Sequence, residues 1–358
     1  MFIDKVVNST NKKIEKIRKL EQSSLPLVMY GAGSYAIDVN KLLIKQGVKV
    51  DAFCVDDEYF QDNLFVDGIK VDKIGTICKR YTNFNMVIGF ADYRKARQKM
   101  AVVKEIDDLI FIDAPHSLEF LDYNYVINNQ KEFETTLNLL EDQRSKDVLI
   151  AYLNAKICGL PDGLYEMAQF NPYFNDLIKL TDGEVFVDCG AYDGDTIRAF
   201  YKNVNGKYNK IYAFEPDNVN FESLKSYLMN KKIENVCLVN KGCWDRKTTL
   251  LFSSDGNMTS QVQNEGSVAI EVDSIDNVVG LNNVTFIKMD IEGSELAALR
   301  GCANTIKREK PKLAICVYHK PEDLITIPQY IKNLVPEYRL YLRHHQFISW
   351  ETVLYATL

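Results

Sequence analysis

Asp290, Glu292, Glu295 and His319 carry groups that move protons or hold cations, and they fall at the carboxyl ends of two apolar runs, 284–290 and 312–318. A hydroxyl group that is to act as a nucleophile needs a base beside it, and an unperturbed imidazole titrates close enough to neutrality to serve. His319, Asp290 and Glu292 are therefore the expected catalytic residues. Asp290 and Glu292 stand two apart at a strand-to-helix junction, so they need not face the same way. Three roles stay open for them: orienting His319, capping the helix that opens at Gly293, or holding Mg²⁺ or Mn²⁺ together with His319.

A second group surrounds a glycine turn. The apolar run Glu184–Val187 ends in Asp188 and opens into Cys189-Gly190-Ala191-Tyr192-Asp193-Gly194-Asp195-Thr196. Such a run followed by glycines suits a buried strand, a tight turn and a helix start, the entry to a nucleotide-type site. Glycine is expected there because a ligand close to the backbone leaves no room for a Cβ and because such a turn can call for positive φ. Three acids in one loop would repel a pyrophosphate, so a cationic ligand with an amino group and a sulfonium, S-adenosylmethionine (SAM), fits better. The next apolar run, 210–214, ends in Glu215-Pro216-Asp217. Glu215 follows Gly190 at a spacing near the roughly 20 residues expected for a ribose-binding carboxylate. The expected cofactor contacts are Asp188, Gly190, Tyr192, Gly194, Glu215, Pro216 and Asp217.

These residues need a parallel sheet to hold them. Apolar runs alternate with helical patterns from residue 184 to the end, predicting strands at 184–188, 210–214, 236–240, 284–290 and 312–318. Two further strands, 337–343 and 350–357, are joined by a connection too short for a parallel crossover, so the last strand must be antiparallel to its neighbour. Polar residues 245–266 read as a hairpin or lid. Toward the amino terminus a second glycine turn, Tyr30-Gly31-Ala32-Gly33-Ser34, follows a strand, and another strand ends at Asp56. This turn has no acid and suits a phosphate, so Gly31, Gly33, Ser34 and Asp56 form a candidate second nucleotide site. The chain is thus α/β throughout: a smaller doubly wound, Rossmann-like domain at 1–120, a helical linker at 121–180 and a larger domain at 181–358.

At 358 residues the chain has room for two cores, and 46% apolar with 26% charged residues is the balance of an ordinary globular protein. A formal charge of −6 gives no general affinity for nucleic acid. Eight cysteines form no Cys-x-x-Cys pair, which implies a reducing compartment. Met1–Lys5 lacks the apolar core of a signal peptide, and no run of 18 apolar residues occurs. A cytoplasmic location without membrane insertion is expected.

In combination, Val187–Thr196, Phe214–Asp217, Lys288–Glu295 with Gly301, and Tyr318–Lys320 with Glu351–Ala356 resemble the FkbM family of SAM-dependent methyltransferases over about residues 165–358. The resemblance implies a class I, Rossmann-like methyltransferase domain with an antiparallel last strand. It also implies O-methylation in natural-product or surface-glycan pathways. Tyr30–Gly33, Phe53–Asp57 and Ile88-Gly89 followed by Arg94 resemble the nucleotide-sugar-binding domain of bacterial sugar acetyltransferases. The expected substrate is accordingly a small molecule or glycan precursor, including a nucleotide sugar, with homo-oligomerisation left open. The competing readings are a nucleotide-sugar- or SAM-binding module without turnover and, below it, an NAD oxidoreductase.

Overall fold

The computed structural model describes residues 2–113, 121–253, 261–263, 268–280 and 283–358. The chain divides into two units: Met1–Asn128, Ile150–Ala168 and Gln346–Trp350 in one, and Asn129–Leu149, Gln169–His345 and Glu351–Leu358 in the other.

In the first unit β1 (Leu27–Tyr30), β2 (Ala52–Val55), β3 (Phe65–Val66), β4 (Ile69–Lys73), β5 (Phe84–Ile88) and β6 (Ile106–Phe111) form one sheet in the order β3-β4-β2-β1-β5-β6. All its pairings are parallel except β3 with β4. β1, β2 and β5 are buried at every residue, as strands covered on both faces must be. The amphipathic amino-terminal helix, Lys12–Gln22, is capped by Asn11 and turns Ile17 and Leu20 into this core. The doubly wound reading of this region agrees with the sheet; it passed over the short β3–β4 hairpin, whose signal is the Asp67-Gly68 turn, both residues at positive φ.

The second unit has a seven-stranded sheet built from β7 (Val185–Cys189), β8 (Lys210–Phe214) and β9 (Val236–Val239), followed after an insertion by four more strands. The insertion holds β10 (Gly242–Cys243), β11 (Thr248–Ser253), β12 (Gln261–Gln263) and β13 (Val268–Asp273) in a separate sheet. β11 is antiparallel to β12 and to β13, in keeping with the hairpin alternative for 245–266, while 254–260 and 264–267 lie outside the described residues. β14 (Phe286–Met289), β15 (Lys312–Cys316), β16 (Arg339–His344) and β17 (Thr352–Thr357) complete the main sheet in the order β16-β17-β15-β14-β7-β8-β9. β17 is antiparallel to both of its neighbours, as the short connection demanded. β7 lies between β8 and β14, so the strand order reverses there and opens a crevice at their carboxyl ends. Beneath it Phe186 stacks between Phe200 and Phe286 at centroid distances of 4.7 and 5.0 Å.

The stretch expected as a linker is helical, with helices Tyr123–Asn128, Gln130–Leu139, Gln143–Cys158 and Asp162–Met167, but it is not a separate piece. Residues 121–128 and 150–168 belong to the first unit, 129–149 and 169–180 to the second. Side-chain contacts explain the division. Tyr165 stacks on Phe347 at 4.3 Å and Tyr93 donates to Asp162 at 2.8 Å in the first unit. In the second, Arg343 binds both oxygens of Asp142, at 2.6 and 3.2 Å. Among the described residues no helix is long and apolar enough to cross a membrane.

Candidate active site

The glycine loop leaves β7 at Cys189. Gly190 has φ +81°, and a Cβ there would collide with the carbonyl oxygen of Asp290. Gly194 has φ +92°, and its Cβ would come within 2.8 Å of Leu224 Cδ1. Both glycines have the positive φ expected of the turn, and β14's end and the helix Asn218–Lys231 add a packing demand. The backbone amides of Gly190 and Ala191 donate to Phe214 O at 3.1 and 2.9 Å. Tyr192, itself at φ +46°, donates its amide to Glu215 Oε2 at 2.8 Å. The other carboxylate oxygen of Glu215 accepts from Asp217 N at 2.9 Å, across Pro216. Burial raises Glu215 to about 7, against the lowering effect of those two amides. Asp217 caps the following helix, accepting from Val219 N and Asn220 N.

Asp188 lies at the base of this loop, fully buried, 3.1 Å from the ammonium of Lys288. The two residues are register partners on adjacent strands, so pairing β7 with β14 brings them together. Lys288 Nζ also donates to Gly190 O at 2.7 Å, binding the turn to the sheet. Burial pushes Asp188 up to about 6 although Lys288 opposes it. Burial disfavours charge on Lys288 too, but Asp188, Asp290 and Asp195 outweigh it and hold the lysine above its ordinary value. A lysine inside an otherwise apolar strand was the sequence signal for this pair, and the sequence reading passed over it.

The acids and histidine expected to act together do converge. His319 Nε2 is 3.4 Å from Asp290 Oδ1 and 3.6 Å from Glu292 Oε2, and Nδ1 is 2.9 Å from Glu295 Oε1. Glu292 reaches its place from a left-handed backbone, φ +56°. Glu295 opens the helix Glu295–Gly301 and accepts from Ile291 N at 2.9 Å. Two tyrosines that the sequence reading missed complete the group: Tyr173 and Tyr318 donate to the two oxygens of Asp290, at 2.9 and 3.2 Å. Burial works against charge on His319, yet Glu295, Glu292 and Asp290 together raise it to about 10. Burial also opposes charge on Asp290, but Lys288 and His319 hold it below the usual carboxylate range. Glu292 is pushed up to about 8, chiefly by burial, and so is Glu351 from the β16–β17 connection.

Tyr173 belongs to a segment, Gln169–Phe174, in which Asn171 (φ +98°) and Tyr173 (φ +69°) both adopt left-handed backbone. Its amide donates to Tyr355 Oη at 3.1 Å. With Phe174, Asp195, Thr196 and Lys202 these residues line a cavity of about 590 Å³ beside the glycine loop. Another cavity, of about 560 Å³, lies at the amino ends of β14 and β15 and includes none of the expected site residues.

The second expected site lies in the first unit. Gly31, at φ +126°, packs against the carbonyl of Gly89, whereas a Cβ on Gly33 would meet nothing within 4 Å. Gly33 is the cap residue of the helix Ser34–Lys45. Asp56 accepts from Tyr30 Oη at 2.8 Å and pairs with Lys99 Nζ at 2.6 Å.

A seven-stranded sheet of this order, with its last strand antiparallel and its polar residues at the carboxyl ends around β7, is a Rossmann-like methyltransferase fold. Within it, residues 188–349 match the family model described as Methyltransferase FkbM domain. Among solved structures, the chain resembles the methyltransferase FkbM from Methylobacillus flagellatus KT, at 23% identity and a TM-score of 0.73, over 97% of this chain and 94% of that one. A ribosomal RNA methylase from Streptococcus thermophilus (17% identity, TM-score 0.34) aligns with 54% of this chain and 89% of its own. Aeropyrum pernix fibrillarin with bound S-adenosyl-L-methionine (13%, 0.33) aligns with 50% of this chain and 70% of its own. No curated protein matches.

Proposed function

We propose that the protein methylates a hydroxyl of a sugar, nucleotide sugar or related glycan or natural-product precursor, using SAM. The observation that carries this reading is the adjacency of two groups at one switch point: the acidic glycine loop with Glu215 after β7 and β8, and the Asp290–His319 cluster after β14 and β15. The loop residues fit the cofactor. Glu215 uses one lone pair on each oxygen for the backbone, which leaves acceptor capacity for ribose hydroxyls. Tyr192, Gly190, Gly194 and Asp217 frame the same turn, and Asp188 holds it from below through Lys288. When bound, SAM supplies a methyl group activated by the sulfonium.

The chain must then orient the acceptor oxygen and take its proton. Asp290 is suited to the second task, being held ionised by Lys288 and His319 and fixed by two tyrosine hydroxyls. His319 was the expected base. Flanked by carboxylates at both ring nitrogens it is an imidazolium at neutral pH, and its task shifts to fixing Asp290 and offsetting negative charge on the acceptor oxygen.

Transfer of labelled methyl from SAM, assayed across nucleotide sugars and glycan fragments, tests the reading. Asp290→Asn should lower turnover by roughly 10²-fold or more while leaving SAM affinity little changed. Glu215→Ala should do the opposite first, weakening SAM binding by about 1.5–3 kcal/mol. SAM bound without transfer to any acceptor would favour a binding module, and near-normal turnover in Asp290→Asn would move the base elsewhere.

A further inference from the structure

Asp290, Glu295 and His319 each present one ligand-type atom, and these atoms all lie within 4.8 Å of one another. Unlike a solvated acidic patch, this group is enclosed: the side chains of His319 and Glu295 are 5% and 0% exposed. The ring nitrogens of His319 meet carboxylates as ion-pair contacts and not as well-directed hydrogen bonds, and among the described residues Oε2 of Glu295 accepts no hydrogen bond. Buried polar atoms without partners are costly and call for an explanation. The 2.9 Å between Nδ1 and Glu295 Oε1 is close enough for an ion pair, but the ring N–H is not directed along it.

We propose that Asp290, Glu295 and His319 bind one divalent cation, of the Mn²⁺ class, at the acceptor side of the site, the ion displacing to solvent the ring proton that His319 carries in the metal-free protein. The inference rests on the methyltransferase reading for its purpose but not for its geometry. A cation about 2.1 Å from its ligands sets adjacent donors about 3 Å apart. His319 Nδ1 and Glu295 Oε1 already stand 2.9 Å apart, while Asp290 Oδ1 is 3.4 Å from the other ring nitrogen, so a turn of the ring or of Asp290 brings all three onto one ion. One imidazole with two carboxylates suits Mn²⁺, whereas a set of oxygens alone would favour Mg²⁺ or Ca²⁺. Ligands of a resident metal are themselves held by hydrogen bonds, and these are: Tyr173 and Tyr318 donate to Asp290, and Ile291 N donates to Glu295. Glu292 Oε2, 3.6 Å from Nε2, stands beside the donor set and orients the ring. The expected trio of Asp290, Glu292 and His319 is thus replaced, with Glu295 as ligand and Glu292 as its neighbour. Charge points the same way. Asp290, Glu292, Glu295, Asp323 and Glu351 all act electrostatically on His319, against Lys288 acting on Asp290 and Lys320 acting on Asp323. A divalent ion offsets that excess and gives the acceptor hydroxyl a seat where its proton is more easily lost.

The test uses the full chain, stripped of metal and without SAM, titrated with Mn²⁺ while free Mn²⁺ is followed by electron paramagnetic resonance. One Mn²⁺ per chain is expected, weakened at least about tenfold in His319→Gln and in Glu295→Gln. If Glu295→Gln does not fold, the wild-type stoichiometry and His319→Gln decide. Less than one equivalent bound at millimolar Mn²⁺, or equal binding by wild type and a folded variant, overturns the site. SAM is titrated separately on the same preparation. SAM binding without Mn²⁺ removes the cation and leaves the methyltransferase reading intact. Mn²⁺ binding without SAM supports the cation site and counts against that reading.

Discussion

Lys288 shows what one residue does for this site. It is 2% exposed, paired with the fully buried Asp188, and bonded to the turn carbonyl of Gly190. Replacing it with methionine keeps the volume but removes the charge that opposes burial, so Asp188 must stay ionised without a partner or take up a proton to be neutral. Lys288→Met should therefore cost about 3–5 kcal/mol, read as a shift in the urea midpoint. Adding Asp188→Asn should recover most of that loss, because a pair removed together leaves no uncompensated charge. A single variant as stable as wild type would show that the pair carries no such role. At this scale the sequence was informative about which residue types gather and less so about how. Asp290 and His319 were legible together because both follow strands that must be near neighbours. Tyr173 and Glu351 were not, since each comes from a segment whose path is set only by packing, while Tyr318, beside His319 at the end of the same strand, was within reach and passed over. The positive φ of the glycines was legible, whereas the pressure on Gly190 from Asp290's own backbone was not.

Among the elements, those with long apolar runs were readable and the short ones were not. The strands of the main sheet and the antiparallel direction of β17 followed from run length and connection length. β10 and the helix Ile275–Val279 are too short to carry a period, and the β3–β4 hairpin was marked only by its Asp67-Gly68 turn. The β16–β17 connection carries a testable consequence. His345 Nδ1 faces Gln169 O, which can only accept, so the proton sits on Nδ1 and Nε2 accepts from Tyr355 Oη at 2.8 Å. Tyr355 in turn accepts from the amide of Tyr173. This neutral ring is buried, and burial lowers its pKa from 6.5 to about 4. In the unfolded chain the ring protonates near 6.5, so the unfolded state binds more protons between pH 6.5 and 4. The contribution of neutral His345 is thus complete above pH 6.5 and lost as pH falls toward 4. Chemical denaturation at pH 7.5 and pH 4.5 should show wild type losing about 2–3 kcal/mol more than His345→Gln, which has no such titration. Equal losses would mean that the ring is already charged in the folded protein.

For the whole molecule, the sequence announced two glycine turns in one chain, and each unit does possess a strand-order reversal beside one of them. The two turns differ in charge. Asp188, Asp193 and Asp195 surround the one after β7, whereas Gly31-Ala32-Gly33-Ser34 after β1 is uncharged and opens the twelve-residue helix Ser34–Lys45. The proposal that follows is that the first unit takes a phosphate-bearing ligand, a nucleotide sugar, on the amide groups at this helix start. Asp56, engaged by Tyr30 and Lys99, is its candidate ribose contact and brings a half-exposed ammonium to the same edge. Gly33 makes the test clean. Its φ of −83° suits any residue, and a Cβ there meets nothing. Aspartate is moreover among the best residues at a helix cap, so Gly33→Asp should fold at least as well as wild type. It nevertheless places a carboxylate where the phosphate would lie, at a cost of about 1–4 kcal/mol for like charges near 4 Å. Isotherms for uridine and other sugar nucleotides should show binding by wild type and about tenfold or weaker binding by Gly33→Asp, with melting temperatures confirming that both are folded. Equal affinity for the two proteins, or none for either, would leave the first unit without a phosphate site.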